Sequence, residues 1–338
     1  MITYVVVIVV IALVFDFANG MNDAANSIAT VVATRVLSPR WAVLWAAFFN
    51  FIAAFLFNTK VAATIGKGLL TPGVADPHLI LATLLSAIVW TVVCTELGLP
   101  ISVSHALIGS LAGAALVKAG VAALIWAKIA LVAIFIVVSP LIGVVLAAVL
   151  IWVTTWLCRK THPRKVDGTF RVLQLASAAA YSLSHGLNDA QKTMGIIMAL
   201  LLSVPQLALY ATHSGDPTAR EPAWWIILTC HAAIGLGTWA GGWRVIKTLG
   251  HRVTKLRPMG GFCAETGGGA TILVLSAFGI PVSTTHTITG AIFGVGMMHR
   301  LTSVRWKVGY EIVTAWILTL PVSAGLAGLF YLLISQLI

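Results

Sequence analysis

Long apolar runs separated by short polar stretches fill this chain from end to end. They fall at 2–33, 41–58, 78–97, 98–118, 121–157, 172–203, 223–243, 260–278, 280–299 and 308–337. None alternates with the period of two of a barrel strand, and most approach the roughly 20 residues that a helix needs to cross a hydrocarbon layer. The pattern predicts an all-α polytopic membrane protein. Runs 2–33, 121–157 and 172–203 exceed one untilted crossing, so broken helices or hairpins are expected there. No basic segment precedes the first run and no small-residue cleavage site follows it. It therefore reads as a retained span, and no signal peptide is expected.

Composition agrees: 59% of the 338 residues are hydrophobic and 9% charged, too little polar surface for a soluble domain of this size. The net charge of +11 could suggest nucleic acid, but its placement says otherwise. Arg159, Lys160, Arg164, Lys165 and Arg171 form one cluster, Arg244, Lys247, Arg252, Lys255 and Arg257 a second, and Arg300, Arg305 and Lys307 a third, with Arg35 and Arg40 a weaker fourth. Short basic segments between apolar runs mark the cytoplasmic face, so no nucleic-acid partner is expected and the lipid bilayer is. An even number of runs separates successive clusters. This gives five segments per half, with both termini outside. The halves are a first repeat at 1–157 and a second at 172–338, joined by a basic cytoplasmic linker at 158–171. Five is odd, so the second half is expected upside down relative to the first, an architecture shared by many secondary transporters. Cys94, Cys158, Cys230 and Cys263 show no metal-binding spacing and read as buried thiols.

Two duplicated motifs carry the chemistry. GMND at 20–23 returns as GLND at 186–189, and GLPISVSHALIG at 98–109 returns as GIPVSTTHTITG at 279–290. Carboxamides and carboxylates inside apolar runs are costly and mark sites. Gly and Pro before a cluster of hydroxyls interrupt a helix and start a new one, whose unpaired N–H groups and positive dipole end suit an oxyanion. A Ser/Thr run usually back-bonds to helix carbonyls, but two such runs in matching places argue for a site. A lone intramembrane acid is more often paired, which is the reading for Asp16 and Glu96. His105 and His286 lack a completing metal ligand set and read as orienting the broken helices.

These segments resemble the inorganic phosphate transporter (Pit) family: DFANGMNDAANSIATVVATRVLSPR, SHGLNDAQKTMGIIMALLL, the hydroxyl pair above, and the CAETGGG stretch that carries Glu265. The resemblance runs essentially end to end. It implies a low-affinity bacterial phosphate permease of the cytoplasmic membrane: a symporter of inorganic phosphate, driven by protons or sodium through an inverted-repeat bundle, and a homodimer. Many family members carry a long hydrophilic insert between the halves, where this chain has only 158–171.

Laid over the two halves, the resemblance and the chemistry assign phosphate contacts to Asn22, Asn26, Ser27, Ser102 and Ser104 in the first. The second supplies Asn188, Gln191, Lys192, Thr193, Ser283, Thr284 and Thr285. Asp23, Asp189 and Glu265 are assigned to the coupling ion or proton, because carboxylates repel a dianion. The Asn side chains bridge cation and phosphate. Lys192 lies too deep to snorkel, so an aspartate or the anion is its partner. No cofactor is expected, and no metal beyond sodium at Asp23 and Asp189. An intramembrane hydrolase lacks a nucleophile–base pair, since adjacent Ser104 and His105 splay apart on a helix. A channel would line its pore with one-signed rings. Sulfate is the serious rival substrate, and only hydrogen phosphate has a proton to give a carboxylate.

The topology is tested by Lys165→Cys in a cysteine-free background. The new thiol should resist an impermeant reagent in intact cells and react after permeabilisation. Labelling from outside would overturn the five-plus-five scheme.

Overall fold

The computed structural model describes residues 1–56, 59–216, 219 and 221–337, without the side chains at 67 and 299. The last two positions of the expected 41–58 crossing, positions 217, 218 and 220 of the expected outer loop, and residue 338 lie outside the described residues. Among those described there are twelve α-helices. The first half contains α1 (Ile2–Ala33), α2 (Pro39–Ile52), α3 (Lys60–Gly68), α4 (Pro77–Leu97), α5 (Val103–Ala119) and α6 (Trp126–Cys158). The second contains α7 (Pro163–Leu202), α8 (Trp224–Ala240), α9 (Trp243–Lys247), α10 (Pro258–Ala277), α11 (Thr284–His299) and α12 (Trp306–Leu337). The all-α expectation holds. α1, α4, α6 and α12 are each long and apolar enough to cross a membrane. α6 and α12 leave large apolar side chains exposed, among them Ile134, Val137, Leu141, Val145, Ile317 and Leu329, as lipid-facing helices do.

The breaks do not fall in the three longest runs. α1 and α7 pass unbroken through their Gly-x-Asn-Asp motifs, and α6 continues past Pro140. The linker is not a loop throughout, since α7 already begins at Pro163 and carries Arg164, Lys165 and Arg171 on its first turns. The interruption lies instead at the second motif pair, where α4 leads into α5 and α10 into α11. Gly98 and Gly279 adopt φ of 70° and 72°, a left-handed conformation that costs glycine little. Pro100 and Pro281 follow, and each new helix starts on a serine cap. Ser102 Oγ accepts from His105 N at 3.2 Å, and Ser283 Oγ from His286 N at 3.1 Å. Both hairpin tips lie beside the middle of α1 and α7, because Asn22 reaches Thr95 in the last turn of α4 and Asn188 reaches Ser276 in the last turn of α10. A hairpin and a pair of crossings both return the chain to the side it left, so the expected sidedness of the loops is unaltered.

Two apolar clusters sandwich this level. α1 gives Val5, Ile8, Ala12 and Phe15 to one and Ala24, Ala25, Ile28 and Ala29 to the other. α7 gives Met194, Ile197, Met198 and Leu201 to the first and Tyr181 to the second. The polar motifs occupy the stretch between. Three cysteines are buried as expected, whereas Cys158, at the end of α6, is partly exposed.

The halves interlock. α6 packs on α11 and α12 on α5, each last helix docking on the other half's hairpin. Glycines on the hairpin helices permit the approach: a methyl at Gly113 would sit 2.1 Å from Ala324 O, and one at Gly294 2.3 Å from Val144 O. Gly113→Ala or Gly294→Ala should therefore lower stability in detergent by about 1–3 kcal/mol through overpacking. Gly168→Ala, where a methyl would meet open space, should leave the melting temperature unchanged or raise it.

Candidate functional site

Asp23 and Asp189 face each other from the middles of α1 and α7. Both are buried, and His185 Nε2 lies 3.6 Å from an oxygen of each. The Thr284 hydroxyl is shared between the same two carboxylates, at 3.3 Å from Asp23 and 3.2 Å from Asp189. Thr285 Oγ1 donates to Asp23 at 3.0 Å and accepts from Asn26 Nδ2 at 2.9 Å. The first-half motif is thus bound to the second-half hydroxyls. The reverse holds across the site: Lys192 Nζ donates to Asp189 at 2.6 Å, to Val282 O at 3.0 Å, and to Ser104 Oγ of the first half. Asp189 is therefore the partner of the buried lysine.

The carboxamides show which end they offer. Asn22 Nδ2 donates to Thr95 Oγ1 at 2.7 Å, and Thr95 spends its own proton on Thr91 O at 2.8 Å. Thr95 can then only accept, which fixes the orientation of the Asn22 amide. Asn188 repeats the arrangement with Ser276 at 2.7 Å. With their N–H2 groups tied to hydroxyls, Asn22, Asn26 and Asn188 each keep a buried carbonyl oxygen that no group bonds. Such oxygens attract a cation and repel an anion, so these three expected phosphate ligands turn the cation-binding end of their amides free.

Other expected ligands are engaged elsewhere. Gln191 Oε1 accepts from Val61 N at 2.9 Å and Ala62 N at 3.2 Å, capping the start of α3. Thr193 donates to Asp16 at 2.8 Å. Ser27 is buried with its hydroxyl unpartnered, and Ser102 and Ser283 serve as caps. Ser104, Thr284, Thr285 and Lys192 remain at the centre. The α5 and α11 N-termini supply N–H groups that no turn within their helices can satisfy. Glu265 stands apart from the aspartates and accepts from Thr30 Oγ1 at 2.5 Å, Gln174 Nε2 at 3.0 Å and Ser177 Oγ at 2.5 Å. Glu96 pairs with Arg244 at 3.3 Å on the surface. The His105 and His286 rings meet edge to face at 4.7 Å, and His286 stacks on Trp316 at 3.7 Å, so they join the two hairpin tips by packing.

Sequence reasoning missed His185, one helical turn before Asp189, and Asn50, whose Oδ1 lies 3.2 Å from His185 Nδ1. A histidine at i−4 from a buried aspartate was the available signal. Asp23, His185 and Asp189 place one ligand atom each within 4.8 Å of one another. The two carboxylates, like the free carbonyl oxygens of Asn22, Asn26 and Asn188, are hard oxygen donors of the kind a sodium ion takes, whereas the His185 nitrogen is a softer donor.

The model of the phosphate transporter family matches residues 19–327. A probable low-affinity inorganic phosphate transporter of Rhizobium meliloti (strain 1021) is 51% identical over 324 residues, covering 96% of this chain and 94% of the relative. A protein of the same description from Bacillus subtilis (strain 168) is 40% identical over 334 residues, 98% of this chain and 97% of the relative. Among solved structures, one titled the sodium-dependent phosphate transporter matches with a TM-score of 0.89 at 25% identity, over 99% of this chain and 100% of that one.

The amide geometry generates its own test. Thr95→Val strands the Asn22 N–H2 group in the interior and should cost about 1–3 kcal/mol of stability. Adding Asn22→Leu should recover part of that loss, as measured by thermal denaturation in detergent. A Thr95→Val protein as stable as its parent would remove the argument that the amide orientation is fixed.

Proposed function

The chain belongs to the phosphate transporter family, and on that premise we propose that it is a symporter carrying inorganic phosphate across the bacterial cytoplasmic membrane with a proton or sodium ion. It is not an enzyme: the relatives are transporters and permeases. The observation that carries the reading is the crossed pairing at the centre, where each half's Gly-x-Asn-Asp helix is bonded to the other half's hydroxyl tip. A site assembled from both halves opens to one side or the other as the halves rock, which is what alternating access requires.

The cation falls to Asp23 and Asp189, with the Asn22, Asn26 and Asn188 oxygens, while His185 lies against both carboxylates. Phosphate falls to Lys192, Ser104, Thr284 and Thr285, with the helix N-termini of α5 and α11. Thr284 lies between the two sets, so charge at one is felt at the other. Glu265 is a second coupling station, reached through Thr30 on α1 and Ser177 on α7. In this reading residues 1–157 and 172–338 are inverted repeats and the assembly is a homodimer. Hydrogen phosphate is favoured over sulfate because the centre is rich in acceptors for its proton.

Counterflow of labelled phosphate in proteoliposomes tests the proposal, with sulfate as competitor and with imposed proton and sodium gradients. Asp23→Asn and Asp189→Asn should abolish uphill accumulation, because a group that cannot change its charge cannot couple two gradients. Lys192→Gln should weaken phosphate binding about ten- to a hundredfold, the loss of one charge-assisted hydrogen bond. Equal competition by sulfate would transfer the reading to tetrahedral oxyanions in general.

A further inference from the structure

Asp16 is wholly buried on α1, and neither the phosphate site nor the assigned coupling residues make use of it. Its Oδ1 accepts from Thr193 Oγ1 at 2.8 Å, while its Oδ2 has no hydrogen-bond partner. Asn19 follows three residues later, on the same helix face, and is 2% exposed with an unpartnered Oδ1. A buried carboxyl oxygen left bare, with no salt-bridge partner among the described residues and with the Asn19 side chain bonding the same carboxyl, is an atom that one proton completes.

We propose that Asp16, with Asn19 and Thr193, is a binding station for the coupling proton on the outward side of the central aspartates. The inference rests on the symport reading and names its ion. Hydronium gives a proton to Asp16 Oδ2 and leaves as water. The new O–H lies on the carboxyl that the Asn19 side chain also bonds, while Thr193 continues to donate to Oδ1 of Asp16. The reverse transfer to water restores the carboxylate. Sodium fits less well here, since it needs about six oxygens and the side chains supply fewer.

The placement gives the station its role. Asp16, Asp23 and Thr30 recur at intervals of seven on α1, about 10 Å apart, and Thr30 holds Glu265. Carboxyl groups thus mark three levels along the contact of α1 with α7. The outermost belongs to one half only, because the position 166 residues later is Ser182, which bonds its own helix at Ala178 O. The charged and titratable groups that face Asp16 are Asp189 and Lys192 of α7 and the Cys230 thiol of α8, with the buried His231 of α8 next to Cys230 and beside Gln191 and Met194. Those on other elements packed against α1 lie at other levels. Cys94 and Glu96 of α4 are in its last turn near Asn22, and Glu265 of α10 is beside Thr30. On α11, His286 follows Thr285 at the Asp23 level, and Arg40 of α2 lies in its first turn. His105 of α5 meets His286, Lys118 of α5 pairs with Asp76, and Arg244 and Lys247 lie on α9 at the α4 tip.

The test compares the parent with Asp16→Asn and Asp16→Glu in proteoliposomes. For each, uptake driven by a proton gradient is divided by phosphate counterflow, so that poorly folded protein drops out of the ratio. Asp16→Asn should lower the ratio by about tenfold or more and flatten its dependence on external pH, and Asp16→Glu should restore both. Difference infrared spectra should show a protonated carboxyl band that is missing in Asp16→Asn, a signature that a structural role would not produce. An unchanged ratio and pH profile in Asp16→Asn overturns the station. Loss of sodium-driven uptake alone would replace the proton with sodium and overturn the assignment. A parent without phosphate counterflow would sink the transport reading itself.

Discussion

Two carboxyl groups and one lysine are held in a space that two apolar clusters seal from both sides. When all three are ionised one negative charge is left over, and in so dry an environment an uncompensated charge costs several kcal/mol. The surroundings are organised around that residue of charge. Thr284 divides its proton between Asp23 and Asp189, Lys192 commits to one of them, and the carboxamides of the same motifs keep their oxygens free. One added positive charge would balance the centre, and the proposed symport would use that balance to tie the cation to the anion.

The duplication supplies the frame, and departures from it supply the function. Asn22 and Asn188 make the same bond to the last turns of α4 and α10, and Ser102 and Ser283 cap in the same way. Yet Asn26 stands where the second half has Lys192, and Asn19 where it has His185. Those two exchanges put a lysine and an imidazole on the α7 side alone. A strictly symmetric centre would have left the aspartates facing only amides and hydroxyls, with no cationic side chain.

Much of this was legible in the chain. The repeated motifs, the helical class and the interruption at Gly98-Leu99-Pro100 and Gly279-Ile280-Pro281 follow from residue types whose backbone preferences are strong. The continuity of α1 and α7 was less legible, because length alone cannot tell one tilted helix from a hairpin. Nor does membership of a motif tell which partner a neighbouring residue takes. Gln191 sits two residues from Asp189, hence on a different face, and caps α3; Thr193 is one turn further along and meets Asp16. His185 and Asn50 belong to no duplicated string, so a search guided by repetition passes over them.

The docking of α6 on α11 has a bearing on biosynthesis. α6 leaves the ribosome well before the hairpin that receives it has been made, and it must wait in the bilayer as an unpartnered helix. Its composition suits the wait: its most apolar window has a mean hydropathy of 3.0, the highest of the four long apolar helices, and only 17% of that window is buried in the finished fold. The first half therefore reaches the membrane before it can close, and the fold completes only when α11 and α12 arrive. A chain stopped after α6 would hold the Asn22–Thr95 bond and none of the bonds that cross between the halves.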